Sequence, residues 1–342
     1  MIYRSRAPLR IGLAGGGTDV SPYCDMYGGA ILNASISLYA YAHLELTGDE
    51  TIILEAKDRN EEVVLPFQQT LPIDGTLDLH KGVFNRIQKD YGWPYKGFRL
   101  TTYSDAPAGS GLGTSSTMMV AILGAFNELL KLPLGEYDIA HYAYEIERID
   151  LALAGGRQDQ YAATFGGVNF MEFYKDDQVI VNPLRIRQEY LDELQNNLLL
   201  YYTDSSRDSA TIIKAQQQNV TEKKEKSIEA MHQLKEQARM MKEVMLKGKI
   251  DALGEILDYG FEQKRKMAEH ISNTRIEEIY AHARRMGATG GKISGAGGGG
   301  FMIFYCPGIT RYSVIEGLKI FGGTCRNYHF TQQGLTGWTA GK

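Results

Sequence analysis

The sequence predicts an α+β protein of two domains, and three observations carry that prediction. Residues 30–57 alternate in strand fashion, with β-branched and aromatic side chains in AILNASIS, LYAYAHLEL and TIILEA. Residues 207–286 are instead poor in glycine and proline and rich in Lys, Glu, Gln, Met and Ala, as a long helical region requires. The chain has 342 residues, about two domains at roughly 100–200 residues each. The change from β-rich to helix-rich sequence falls between residues 183 and 200, which predicts domains of 1–185 and 186–342.

Taken in order, AILNASIS, LYAYAHLEL and TIILEA are strand candidates, and residues 97–104 (GFRLTTYS) add another, so an antiparallel N-terminal sheet is expected. Met119, Ile122, Leu123, Phe126, Leu129 and Leu130 recur at helical spacing and predict a helix over 115–130. Ile139, Ala143, Ile146 and Ile149 predict a second over 136–152. A strand at 198–203 opens the second half. After the helical region, FMIFY (301–305), a helix near 310–320 and TCRNYHF (324–330) form a strand, helix, strand unit. The charged run TEKKEKSIE (221–229) reads as a solvated helix face.

Composition excludes several classes. With 37 basic and 41 acidic residues the net charge is -4, so neither a general nucleic-acid binder nor an acidic tail is expected. The N-terminus lacks an apolar leader and no run of 18 apolar residues exists, so a cytoplasmic protein without membrane association is expected. Cys24, Cys306 and Cys325 form no CxxC pair, which argues against a disulfide framework or a cysteine zinc site.

Glycine stands out, with 38 residues against 9 prolines, where about 7% glycine is average. The glycines gather at 12–17, 109–113, 155–167 and 287–300, each inside ordered-looking sequence, which points to tight ligand-facing loops. Pro107-Ala-Gly-Ser-Gly-Leu-Gly-Thr-Ser-Ser116 follows a strand and enters a helix. Its glycines allow close backbone approach, its hydroxyls stand at expected N-cap positions, and the helix N-terminus attracts anions. It is no Walker A loop, because no lysine follows its last glycine. Gly295, Gly297 and Gly300 match GxGxxG, but a strand follows rather than a helix, so a dinucleotide fingerprint is not expected. That loop could form a second phosphate wall, with Lys292 or Ser294 adding a side chain. In Arg10-Ile-Gly-Leu-Ala-Gly-Gly-Gly-Thr-Asp19, the carboxylate of Asp19 suits polyol hydroxyls, or Thr18 and Asp19 cap a following helix. Gly155-Gly-Arg-Gln-Asp-Gln160 presents Asp159 from a loop.

The segments APLRIGLAGGGTD, PAGSGLGTSS and KISGAGGGG, in this order, resemble the three motifs of the GHMP kinase superfamily, over nearly the whole chain. The resemblance implies an N-terminal domain like domain 2 of ribosomal protein S5, a ferredoxin-like C-terminal domain, and ATP in a cleft between them. It implies that Pro107, Gly109, Ser110, Gly111, Leu112, Gly113, Thr114, Ser115 and Ser116 surround the ATP phosphates. Mg²⁺ would be held by Ser115, with Ser116 less favoured, and by Glu147, which Glu145 or Asp150 could be mistaken for. Asp159 corresponds to a proposed catalytic base and Arg10 to the arginine paired with it, while Gly16, Gly17, Thr18, Asp19, Gly297 and Gly298 would meet the acceptor.

Galactokinases carry Glu-His where this chain has Gly16 and Gly17, which implies room for a longer sugar. The full motif forms and YYTDSSRDSATI look most like the branch that phosphorylates heptose 7-phosphates at the anomeric hydroxyl, for activated heptose used in surface glycans. A 7-phosphate needs a cation: Arg207 is the expected partner, with Arg6 or Arg157 assisting. Alternatives are a galactokinase- or fucokinase-like sugar 1-kinase acting on unphosphorylated hexose, and a non-catalytic sugar and ATP sensor. A mevalonate-pathway kinase is disfavoured by the Thr-Asp of the first motif. The expected partners are a sugar phosphate and ATP, and the chain is expected to be a monomer or homodimer.

Overall fold

The computed structural model describes residues 1–204 and 209–341. Two sheets organise the chain. The larger has eight strands, with Thr336–Ala340, Ile2–Ala14, Gly29–Leu46, Phe98–Ser104, Thr51–Ala56 and Glu61–Pro66 side by side. Val168–Phe173 pairs with the first half of Gly29–Leu46 and carries Val179–Pro183 at its outer edge. Every pairing is antiparallel except Thr51–Ala56 with Phe98–Ser104.

The smaller sheet runs Thr324–Arg326, Leu198–Tyr202, Phe301–Tyr305, Gly290–Ile293. Numbered along the chain, that order is fourth, first, third, second, the ferredoxin-like arrangement, with the helical region packed on it. Among the described residues the helical region is four separate α-helices, Ser209–Thr221, Glu225–Leu246, Leu253–Met267 and Thr274–Arg285. The expected terminal strand over 324–330 shortens to Thr324–Arg326. The last strand, Thr336–Ala340, crosses back to pair with Ile2–Arg6 in the large sheet.

Strand periodicity explains how the first strand serves two purposes. Leu9, Ile11 and Leu13 point into an apolar core shared with Leu198, Leu200, Met241, Leu257 and Phe301, which joins the two halves. The alternate positions, Arg10 and Gly12, therefore face the other way. Register shifts between Pro8 and Arg10 and between Gly12 and Ala14 bend the strand there, the usual effect of a bulge beside a site.

The predicted helix appears as Thr114–Leu130, but thirteen of its residues are buried, so it is enclosed on most sides rather than along one stripe. The predicted helix over 136–152 splits into Glu136–Glu145 and a π-helical turn at Ile146–Asp150. Among the described residues, no helix is long and apolar enough to cross a membrane.

Candidate active site

A cleft of about 370 Å³ opens where the first strand, the loop before Thr114–Leu130 and the smaller sheet meet. That is enough for a compact ligand. Of the expected phosphate-loop residues, Gly109, Gly111, Gly113, Thr114, Ser115 and Ser116 line it. Pro107, Ser110 and Leu112 hold the loop from behind. Leu112 is fully buried, and its carbonyl accepts the Arg10 N–H at 3.1 Å. The Ser110 carbonyl accepts the Phe301 N–H at 2.8 Å.

The helix cap differs from expectation. Gly113, at φ 78°, is the N-cap, and no side chain caps the helix. The Thr114 hydroxyl turns back toward the Pro107 carbonyl (3.3 Å) and the Ser110 hydroxyl (3.1 Å). The first-turn amides are thus left without an intrahelical or side-chain acceptor, which is the physical basis of an anion site. Gly111 is required by contact: a Cβ there would lie 2.7 Å from the Ser294 carbonyl oxygen, at a φ of +85°.

Asp159 lies in the first turn of helix Gln158–Phe165, not in the loop expected for it. Arg10, 4% exposed, donates from both Nε and Nη2 to Oδ1 of Asp159 at 2.7 Å. Its Nη1 reaches the Gly111 carbonyl at 2.7 Å. Oδ2 of Asp159 has no hydrogen-bond partner among the described residues and stands beside Gly113, whose absent Cβ would sit 3.2 Å away.

Glu147 is 1% exposed and accepts the Ser115 hydroxyl at 2.9 Å and the Gln160 amide at 2.7 Å. Arg148 lies 3.2 Å from the same carboxylate and also donates to the Ser116 hydroxyl and the Gly156 carbonyl. The two carboxylates that could be confused with Glu147 are elsewhere: Arg86 binds Glu145 at 2.6 Å and Asp150 at 2.9 Å. The donor set of Ser115 and Glu147 fits Mg²⁺, which takes hard oxygens and leans on few carboxylates plus nucleotide phosphates. Among the described residues no cluster of three or more His, Cys, Asp or Glu forms an all-protein metal cage.

On the acceptor side, Asp19 is 2% exposed and accepts the backbone N–H groups of Arg157 (2.9 Å) and Gln158 (3.1 Å). It therefore holds the N-terminus of the helix that carries Asp159. Burial first, and then the Asp159 charge, raise its pKa. The capping alternative is thus met at a different helix, since the short Tyr23–Tyr27 helix has Pro22 at its N-cap and no side-chain cap. Thr18 is buried, donating to the Gly15 and Ala30 carbonyls.

Gly16 and Gly17 both line the cleft, but only one leaves room. A Cβ at Gly17 would lie 2.5 Å from the Met267 methyl, whereas one at Gly16 would meet only the Lys264 and Lys292 ammonium groups, at 3.9 and 4.0 Å.

Four expected acceptor contacts are placed differently, and a fifth lies outside the described residues. Gly297 and Gly298 pack against Ile271, with the Gly298 N–H bonded to its carbonyl at 2.8 Å; the cleft is lined instead by their neighbours Gly295 and Ala296. Arg207 lies outside the described residues. Arg6 stacks 4.9 Å over Tyr39, Arg157 is ion-paired to Asp25 and Asp177, and neither lines the cleft.

Sequence reasoning missed Arg148, Gln160 and Lys264. Lys264 is 3% exposed, and burial, then the Arg10 charge, lower its pKa to about 8. The signal was its spacing: Leu257, Phe261, Lys264 and Met267 form one apolar stripe, so this lysine sits on a core face. Lys292, proposed as a phosphate contact, is 5% exposed and donates to the Gly12 carbonyl at 2.8 Å.

Two family models match the chain, GHMP kinases N terminal domain over residues 78–167 and GHMP kinases C terminal over residues 240–322. The chain is 46% identical to a D-glycero-alpha-D-manno-heptose 7-phosphate kinase of Campylobacter jejuni, over 98% of both chains. The crystal structure of a D-glycero-D-manno-heptose 1-phosphate kinase from Bacteriodes thetaiotaomicron superposes with a TM-score of 0.84 at 44% identity, covering 99% of this chain and 100% of that one. A Lactococcus lactis galactokinase complexed with galactose, 16% identical over 98% and 95% of the two chains at a TM-score of 0.77, shares the fold.

Proposed function

We propose, from the premise that this chain belongs to the GHMP kinases, that it transfers the γ-phosphoryl of ATP to the anomeric hydroxyl of D-glycero-D-manno-heptose 7-phosphate. The product would be the 1,7-bisphosphate, an intermediate toward nucleotide-activated heptose. The observation that carries the reading is the Arg10–Asp159 pair: both arginine donors occupy Oδ1, and Oδ2 is left open beside the loop that fits ATP phosphates.

The chemistry follows from that geometry. Arg10 fixes the rotamer of Asp159 by holding Oδ1, so Oδ2 is free to accept the proton of the acceptor hydroxyl. The acceptor oxygen bonds to the γ-phosphorus as the bond to the β–γ bridging oxygen breaks, and ADP leaves with that electron pair. An anomeric hydroxyl is more acidic than an ordinary alcohol, which a carboxylate base can exploit. Loop amides 109–113 and the first turn of Thr114–Leu130 hold the phosphates. Ser115 and Glu147 would hold Mg²⁺, which supplies charge neutralisation when bound. Asp19 would take sugar hydroxyls while keeping the helix of Asp159 in place.

The 7-phosphate acceptor is favoured by the open, cation-facing space at Gly16. A sugar already esterified at C1 has no free anomeric hydroxyl to receive the phosphoryl group by this route. The test is a coupled ADP-release assay across heptose 7-phosphate, heptose 1-phosphate, unphosphorylated heptose, hexoses and mevalonate. The highest kcat/KM is expected with heptose 7-phosphate; activity only with unphosphorylated hexose would sink the reading in favour of a galactokinase- or fucokinase-like enzyme.

A further inference from the structure

Four cations and three carboxylates line the cleft: Arg10, Arg148, Lys264 and Lys292, against Asp19, Glu147 and Asp159. Two of the cations are already balanced, Arg10 by Asp159 and Arg148 by Glu147. Lys264 and Lys292 have no such ion-pair partner among the described residues, Asp19 acting on Lys264 only through its charge. Each is at least nine-tenths buried, and each donates to a single backbone carbonyl, Gly295 and Gly12 respectively. Neither forms an ion pair among the described residues. Burying an ammonium without a counter-ion is costly, and burying two side by side is more so. Burial, then the neighbouring Lys264 and Arg10 charges, push the Lys292 pKa well down. Such a pair persists where a ligand brings the missing negative charge.

The space in front of the pair is specified by Gly16. Its φ lies outside the left-handed region, so the backbone there does not demand glycine, and a Cβ would meet nothing within 4 Å except the two ammonium groups. Residue 16 leaves an opening from which one small anion reaches both lysines. The opening lies in the acceptor loop with Asp19, whose charge acts on Lys264.

We infer that Lys264 and Lys292 together form the subsite for the phosphate monoester of the acceptor, with Gly16 supplying the room for it. This rests on the reading of the acceptor as a sugar phosphate. Each lysine has donors left after its one carbonyl bond, so the pair can bind a dianionic phosphate through charge-assisted hydrogen bonds. The subsite makes the enzyme select phosphorylated sugar, because an unphosphorylated one leaves two buried ammonium groups uncompensated.

Steady-state kinetics of Lys264→Met and Lys292→Met, with heptose 7-phosphate and ATP varied separately, tests the assignment. Each variant should raise KM for heptose 7-phosphate by about 30-fold or more, with kcat at saturating sugar and KM for ATP shifted less than about threefold. A fall in kcat with unchanged sugar KM, or an equal rise in KM for ATP, overturns the proposal and assigns the pair to the transferring phosphoryl group. Gly16→Asp is the second variant, since it needs no change in the buried pair and places a carboxylate on both lysines. Its ratio of kcat/KM for heptose 7-phosphate over unphosphorylated heptose should collapse by about 30-fold or more; an unchanged ratio is also contrary. Failure of the acceptor reading itself is seen separately, as wild-type enzyme that ignores heptose 7-phosphate.

Discussion

The two ends of the cleft, each proposed to bind a phosphate, are built with opposite physics. At the loop before Thr114–Leu130 the donors are largely neutral amides, and the charged side chains are internally balanced, Arg10 with Asp159 and Arg148 with Glu147. At the Gly16 end two buried ammonium groups have no carboxylate partner among the described residues. A balanced site can release its product readily, whereas an unbalanced one discriminates by charge. On the proposed reading, ATP would be held by geometry and the acceptor selected by electrostatics.

The contrast can be broken first at its catalytic centre. Asp159→Asn removes the proton acceptor but keeps the shape, so kcat should fall by about 10²–10⁴-fold, while ATP affinity measured by calorimetry changes little. Retention of more than about a tenth of kcat would remove Asp159 from the base role. Next in size, Gly111→Ala forces a Cβ against the Ser294 carbonyl at a left-handed φ. Displacing the loop by about 1 Å should cost on the order of 10²-fold in kcat/KM for ATP, checked by the same assay at fixed sugar.

The acceptor end should carry a pH signature that the ATP end lacks. Lys264 is an ammonium below about pH 8 and an amine above it. Because burial and the Lys264 and Arg10 charges also push Lys292 down, kcat/KM for heptose 7-phosphate should fall with rising pH no later than about pH 8, approaching tenfold per pH unit for each lysine that loses its proton. The profile for unphosphorylated heptose should lack that limb. The smallest effect expected is at Arg6, which stacks on Tyr39 and does not line the cleft. Arg6→Ala should change KM for the sugar phosphate by less than about twofold, within the usual range of surface substitutions, read in parallel kinetics.

Much of this was legible from residues alone. The middle of the larger sheet followed from period-2 alternation, two strands of the smaller from apolar runs at 198–203 and 301–305, and the glycine loop from three glycines between a strand and a helix, whereas Glu61–Pro66, Val179–Pro183, Gly290–Ile293 and Thr336–Ala340 went unpredicted. The bond between Arg10 and Asp159 was inferred only through family resemblance, because 149 positions separate them in sequence. Other features depend on packing that spacing cannot encode. The π-helical turn at Ile146–Asp150 accompanies the placement of Glu147 in the cleft, while Glu145 and Asp150 are bound by Arg86. Met267 fills the space beside Gly17 and leaves that beside Gly16 open. Lys264 sits within the basic run Lys264, Arg265, Lys266, and only its place on an apolar stripe separates it from its solvated neighbours.

The central claim is that phosphoryl transfer goes to the anomeric oxygen of a sugar that is already phosphorylated. Its most direct test is the stoichiometry of reducing ends lost against ADP formed during turnover of heptose 7-phosphate. One reducing end should vanish for each ADP released. ADP release with the reducing end intact would place the new ester on another hydroxyl and contradict the roles given to Asp159 and the lysine pair.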